Sequence, residues 1–390
     1  MTRDAHAVVS ARGAKRWSGG HPWIFRSDVL HPPAAPPGAV QVRDQQGRSL
    51  GVALWSPASE ISLRLLDRSA DTTIDETWWH ERIALAIARR APIMEHATAY
   101  RLVFGEGDGL PSLVADRYDR WLVVQFLSAG LEAFRAEIVQ ALRALTGAEG
   151  ILARNDSSVR AREGLDRAVE PLWGNVPLDV EVLEHGLRYV AALHTGQKTG
   201  AFLDQRENRV LCGSLARGRA LDLFSYHGSF ALHLSRHAEE VTAVDSSAPA
   251  LERASENVAL NGLSNVSLVK ADVFEFLRAR LAHGMRYDTI VLDPPAFAKN
   301  RASLDGAVRG YRDLNLHAMR LLAPGGLLYT ASCSYHLNKA LFLEMLENAA
   351  AAAGRRMILR TMTGQPLDHP EVMTVQETGY LKGALLEAAD

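Results

Sequence analysis

Cysteine is almost missing from this chain: Cys212 and Cys333 are the only two in 390 residues. So small a supply excludes a disulfide framework. Without a Cys-x-x-Cys or Cys/His cluster it also argues against a structural zinc and for reduced thiols in the cytoplasm. Missing too is any apolar run near the roughly 20 residues that span a bilayer, and none precedes Trp17, so neither a membrane span nor a leader is expected. An excess of one charge is the third absence. The net charge of −2 excludes a globally basic nucleic-acid binder and confines any such contact to local patches. What remains, 47% hydrophobic and 23% charged, is the composition of a soluble globular protein long enough for two or three domains.

Residues 1–75 read as a small β module. Short runs at Ala7–Ser10, Ala39–Arg43, Ser49–Trp55 and Ile61–Leu66 are separated by turn chemistry, with Asp44-Gln45-Gln46-Gly47 as a hairpin. Closely spaced strands of this kind suggest a barrel. From Met1 to Ala70 there are nine Lys/Arg against five Asp/Glu. Arg12, Lys15, Arg16 and Arg26 cluster around Trp17, His21, Trp23 and Phe25, which suits phosphate contact and base stacking as well as it suits a solvated face beside core aromatics. Gly20-His21-Pro22-Trp23-Ile24-Phe25 resembles the signature of PUA domains, RNA-binding barrels, in the form fused to certain rRNA methyltransferases.

Residues 76–190 read as a linker helix and an α+β module. The helix covers Trp78–Ile93 and breaks near Pro92. Strands follow at Ser112–Asp116, Trp121–Leu127 and Ile151–Ala153, with an amphipathic helix at Leu131–Leu145 and a hairpin at Val180–Glu184/Leu187–Leu193 around His185-Gly186. The glycine-rich Gly105–Pro111 lacks the Gly-Lys-[Ser/Thr] of a phosphate cradle, so it reads as a turn. Arg154, Arg160 and Arg162 could touch RNA but fit a charged surface loop better.

Residues 191–390 carry the chemistry. Arg219–Phe230 reads as a buried strand ending at Asp222, a tight turn with Gly228, and a helix start. Four strand–helix repeats follow, which argues an α/β, doubly wound, mainly parallel sheet. Ligands of such sheets bind outside the carboxyl ends of the strands. Val241–Asp245 ends in an acid about 20 residues after the glycine turn, a spacing that suits ribose hydroxyls. A third strand ends in Ala271-Asp272-Val273, placed to meet an adenine amino group. Each acid alone fits a strand-end cap. Three together on one sheet edge favour a polar ligand, and a turn with one glycine disfavours a dinucleotide.

Asp293-Pro294-Pro295-Ala296-Phe297 after the fourth strand resembles the corresponding motif of class I S-adenosylmethionine methyltransferases acting on bases. His194-Thr195-Gly196-Gln197-Lys198-Thr199-Gly200-Ala201-Phe202-Leu203-Asp204-Gln205-Arg206-Glu207-Asn208-Arg209 resembles the hallmark segment of RlmI-type 23S rRNA 5-methylcytosine methyltransferases. Leu221–Phe230, Tyr311–Asn315, Ser332-Cys333-Ser334 and Glu377–Lys382 fit the same family. His227 and Ser229 depart from it, standing where Thr and Gly are usual.

The resemblance implies a Rossmann-like class I methyltransferase domain behind a PUA barrel and a central α+β module. It implies S-adenosylmethionine as cofactor, held by Gln205, Arg206, Asp222, Phe224, Ser225, Tyr226, Gly228, Asp245, Ser246, Asp272 and Val273. By the same resemblance Cys333 is the nucleophile and Asp293 holds or protonates the N3/N4 edge of an unpaired or flipped cytidine of 23S rRNA, with Pro294, Pro295, Phe297 and Lys299 against the substrate. Cys212, inside a helix over Asp204–Ala216, reads as core. No membrane or metal partner is expected, the location is cytoplasmic, and a homodimer is one compatible assembly. Two other readings stay open: a guanine N-methyltransferase on this scaffold, and a non-catalytic RNA-binding assembly factor.

Overall fold

The computed structural model describes residues 6–298 and 301–390. Contacts divide the chain into two compact units. The first takes Met1–Val182, Ala191–Leu203 and Leu367–Gly379; the second takes Leu183–Val190, Asp204–Pro366 and Tyr380–Asp390. The segment 191–203, expected to open the catalytic half, therefore packs with the first unit. Tyr118 Oη lies 3.1 Å from Thr199 Oγ1 and accepts the Ala201 N–H at 3.1 Å.

The first unit opens on a six-stranded sheet in the order Trp23–Ile24, Leu63–Asp67, Ser49–Trp55, Gly38–Arg43, His6–Val9, Val29–His31. Strict alternation in His6–Val9 and Gly38–Arg43 turns Ala7, Val9, Val40 and Val42 inward, where they meet Ile24, Ala53, Leu63 and Trp17. Helix Ala11–Ser18 departs from the sequence reading. It is capped by Ser10, whose Oγ accepts the Gly13 N–H at 3.1 Å. That helix divides the basic–aromatic cluster, burying Trp17 and leaving Arg12, Lys15 and Arg26 exposed. Trp17 is core, Arg12 bonds buried Asp28 at 2.7 Å, and Arg16 stacks 4.6 Å over Phe25.

The linker helix forms as Glu76–Ala88, with Asp75 capping Trp78 N–H at 2.9 Å, and a short turn Ala91–Met94 follows. A five-stranded sheet runs Ala168–Gly174, Gly150–Asn155, Trp121–Phe126, Leu113–Tyr118, Ala99–Phe104. Its two outer strands are additions to the sequence reading. The Leu131–Leu145 helix comes in two pieces, Ala129–Glu132 and Arg135–Thr146. Arg154 and Arg160 are internal: Arg154 donates to the Leu193 carbonyl at 2.7 Å and Arg160 to that of Asp166 at 2.8 Å. The hairpin Asp179–Glu184/Leu187–Ala192 turns on His185 and Gly186, both at positive φ (48° and 82°), the pair of a type I′ turn.

The second unit holds a seven-stranded sheet. Its strands are β1 (Arg219–Leu223), β2 (Glu240–Asp245), β3 (Val266–Lys270), β4 (Tyr287–Leu292), β5 (Leu322–Ser332), β6 (Met357–Thr363) and β7 (Lys382–Ala388). Their order is β3-β2-β1-β4-β5-β7-β6, the first five parallel and the last two antiparallel. The helices are α1 (Arg206–Leu215), α2 (Ser229–Leu234), α3 (Ala248–Leu260), α4 (Val273–Ala282), α5 (Leu304–Leu321) and α6 (Lys339–Ala353). One face buries Leu221, Ile290 and Leu328 against α4, α5 and α6; the other buries Val241 and Val291 against Cys212 of α1 and Phe230 of α2. Helices on both faces leave near-continuous apolar strands, as a parallel sheet requires. Cys212 is core, as read, and burial raises its thiol pKa well above the ordinary value. No helix among the described residues is long and apolar enough to cross a membrane.

Candidate active site

Strand β1 runs apolar into Asp222, which is 1% exposed and whose Oδ2 accepts the Ala231 N–H of α2 at 2.9 Å. The acid expected to face a ligand thus also caps the helix behind the turn. Three of the next residues are left-handed: Phe224 (φ 63°), Tyr226 (φ 49°) and Gly228 (φ 82°). For two non-glycine residues this costs about 1–3 kcal/mol each, and such strain persists only where the surroundings dictate it. Here Ser225 N–H donates to the Val244 carbonyl at 3.1 Å, and Asn257 Nδ2 to that of His227 at 2.9 Å. Asp245 Oδ2 takes the Tyr226 N–H at 2.9 Å and Oδ1 the Ser247 N–H at 2.8 Å. Asp245 therefore ties the turn to the start of α3, and each oxygen keeps a second lone pair.

The strand-end acids do lie on one edge, since β1, β2 and β3 are neighbours. Asp272 is exposed and caps α4 through the Glu275 N–H at 3.1 Å; Val273 is buried and Ser246 exposed. Gln205 is 3% exposed and accepts from Asn208 at 2.7 Å and Tyr329 at 3.3 Å, while Arg206 pairs with Glu207 at 2.8 Å. His227, buried between Tyr189 (stacked, 5.2 Å) and Tyr226 (edge-on, 4.7 Å), has neither ring nitrogen hydrogen-bonded among the described residues. Burial pushes its pKa down to about 4, so the ring is neutral at pH 7.

The other half of the site is built where β4 and β5 end. Leu292 pairs with Thr330, so Asp293 and Cys333 leave adjacent parallel strands at the same edge. Asp293 is half-buried, Pro294 buried, Pro295 exposed, Phe297 half-buried and Cys333 half-buried. Lys299 lies outside the described residues. Tyr311 of α5 organises this edge, a role the sequence did not suggest. Its hydroxyl lies 2.9 Å from Ser334 Oγ, donates to the Pro295 carbonyl at 3.2 Å and accepts the Phe297 N–H at 3.4 Å. Its ring lies 4.7 Å from that of Phe297. Beside Phe297 opens a cavity of about 670 Å³, lined also by Phe274, Ser303, Asp305 and Arg309.

A model of S-adenosylmethionine-dependent methyltransferases matches residues 100–385, and one of PUA-like domains matches residues 8–68. The ribosomal RNA large subunit methyltransferase I of Pseudoalteromonas translucida is 39% identical over 94% of both chains, and its counterpart in Tolumonas auensis 41% identical over 94% of this chain and 95% of its own. The chain belongs to this family. Among solved structures, a Streptococcus mutans protein described as a SAM-dependent methyltransferase covers 98% of this chain and all of its own, at TM-score 0.83 and 22% identity. A related structure, described as complexed with SAH, reaches 0.85 at 22%. At that identity these two speak for the fold.

The family's cofactor is S-adenosylmethionine, and the residues present fit it. Burial, then Asp293 and Asp245 nearby, push the Asp222 carboxyl up to about 8 against the lowering pull of the Ala231 N–H. Negative charge therefore converges on this edge, and a ligand bearing a sulfonium and an ammonium would relieve it. Ser225 Oγ, buried and without a hydrogen-bond partner among the described residues, is a polar atom such a ligand could use. With a carboxyl pKa higher in the folded than in the unfolded protein, the cofactor-free chain takes up a proton on folding between about pH 4 and 8 and loses stability as pH rises through that window. A cation lowers that pKa, so binding expels the proton. S-adenosylmethionine should bind up to about tenfold more tightly per pH unit between pH 6 and 8. Calorimetry in two buffers of different ionisation enthalpy should register proton release, and Asp222→Asn should abolish both effects. An affinity flat across this range would refute the assignment.

Proposed function

We propose that this chain methylates carbon 5 of a cytidine in 23S rRNA through a covalent adduct of Cys333. The support is the pairing at the sheet edge: a half-buried thiol and a half-buried carboxylate end neighbouring parallel strands. They stand beside the acid-lined turn that suits a cationic methyl donor. The names of the relatives supply ribosomal RNA as the acceptor, and the PUA-like domain suits an RNA partner.

Carbon 5 of cytosine is a poor nucleophile. The Cys333 thiolate adds to carbon 6, forming a C–S bond, and the 5,6 π electrons become available at carbon 5 while Asp293 holds the N3/N4 edge. S-adenosylmethionine, when bound, supplies the methyl group as an electrophile. After carbon 5 is methylated, a base takes its proton, the 5,6 double bond reforms and the C–S bond breaks to release the thiolate. A stacked base cannot reach Cys333, so the cytidine is unpaired or flipped, with Pro294, Pro295 and Phe297 as its apolar support.

Deleting the gene should remove one 5-methylcytidine from 23S rRNA, read by nucleoside mass spectrometry. The full chain should restore it and the Cys333→Ala chain should not. An unchanged 5-methylcytidine content would reject the proposal, and loss of a methylguanosine instead would favour N-methylation on this scaffold.

A further inference from the structure

Lysine is among the residues least often buried whole, yet Lys382 is 2% exposed at the start of β7, inside the sheet of the second unit. What it holds explains why. Its Cα is the cross-strand partner of Ser332, the residue before Cys333. Its Nζ donates at 2.7 Å to the carbonyl of Ser334, the residue after Cys333, and at 2.7 Å to the carbonyl of Tyr380. Cys333 is thus bracketed, with the ladder on one side and the ammonium on the other. Further bonds stiffen the same turn: Ser334 N–H donates to Ser332 Oγ at 3.2 Å, and Ser334 Oγ accepts the Ala298 N–H at 3.3 Å.

Both carbonyls are neutral acceptors, so they hold the ammonium in place and add no negative charge of their own. A thiolate gains from a fixed cation in a partly dehydrated site, and an ordinary thiol, with a pKa near 8.5, is only a few per cent ionised at pH 7. Two described groups at this edge do not favour it. Asp293, ending β4, opposes a second negative charge, and the phenol of Tyr311 on α5 is held protonated by burial.

We propose that Lys382 is the positioning residue of the nucleophile: it pins the turn on both sides of Cys333 and supplies the fixed positive charge that favours the thiolate. This rests on the reading of Cys333 given above.

The test is alkylation of the full-length chain by iodoacetamide as a function of pH, in a Cys212→Ala background that leaves Cys333 as the only thiol, read by intact mass. The midpoint should lie at least about one unit below an ordinary thiol's 8.5. Lys382→Met should raise it by about a unit or more, slowing alkylation near pH 6.5 roughly tenfold, and should move the pH profile of methyl transfer the same way. Lys382→Arg, which keeps the charge, should retain much of the low midpoint. A stitch with a purely structural role would move none of these midpoints. An identical midpoint in Lys382→Met overturns the proposal. So does a midpoint at or above 8.5 in the parent, a result that needs no Lys382 variant to fold. Alkylation reads the thiol and not methyl transfer, so an active Cys333→Ala enzyme would sink the nucleophile reading while the alkylation profile still judged Lys382 separately.

Discussion

Replacing Cys333 by alanine is expected to lower methyl transfer to ribosomal RNA by about three orders of magnitude or more, with affinity for S-adenosylmethionine unchanged. The size follows from the chemistry. Without addition at carbon 6 there is no electron-rich carbon 5. Serine in the same place should be as poor, because its hydroxyl is far harder to ionise than a thiol. The unchanged affinity follows from topology: β5 lies two strands from β1, about 10 Å across the sheet, so the turn over Asp222 should not sense the change. Asp293→Asn should be damaging alone and add little to Cys333→Ala, since groups acting on one step are not additive. Single-turnover assays with labelled cofactor decide the matter, and full activity in the alanine variant would end the carbon 5 mechanism.

Much of the catalytic half was legible because its signals are local. Apolar strands running into Asp222, Asp245 and Asp272 foretold neighbouring parallel strands, and those three strands are neighbours. Asp-Pro-Pro marked the end of β4, and the His185-Gly186 turn marked its hairpin. What stayed hidden was non-local or lacked periodicity. Tyr311 meets Ser334 across 23 residues and Lys382 meets Ser334 across 48, distances at which no spacing rule operates. The strand Ala168–Gly174 is largely exposed and carries Pro171, so it offered no alternation to read. Helix Ala11–Ser18 is mostly polar, and Trp17 is its only large buried side chain. Its one clear signal was Ser10 as an N-cap. Each acid was read both as a strand-end cap and, in company with the other two, as facing a polar ligand, and the capping is visible in the fold. Asp222, Asp245 and Asp272 each also accept a backbone N–H that builds the turn or helix around them.

Glu184→Gln is expected to destabilise the second unit by about 3–5 kcal/mol, the scale for breaking a buried ion pair. Glu184 meets the guanidinium of Arg209 in a two-pronged pair, both bonds 2.6 Å, with both side chains about 1–2% exposed. His233 Nε2 lies 3.0 Å from the same carboxylate. Glutamine keeps the shape but sets an N–H₂ against one of the two groups that donate to Glu184, and it removes the negative charge that faces the buried guanidinium. The pair joins α1, the hairpin and α2, so its loss should loosen the helix that opens at Gly228. Amide hydrogen exchange should therefore speed most in α2 and β1, and S-adenosylmethionine should recover part of the protection. Replacing both partners, Glu184→Gln with Arg209→Met, should cost less than the single change, because no uncompensated charge then remains. The pH dependence has a definite sign. Burial alone would raise the Glu184 carboxyl, but Arg209 and His233 outweigh it and hold it well below the usual carboxylate range, while burial lowers His233 despite Glu184. Both shifts favour the deprotonated native state. The stability they contribute is present above the unfolded values and is lost on acidification, from below about pH 6.5 for His233 and below about 4.5 for Glu184. The Glu184→Gln chain should lack the second loss. If the single variant costs less than about 1 kcal/mol, Arg209 has its countercharge elsewhere and this account of the platform fails.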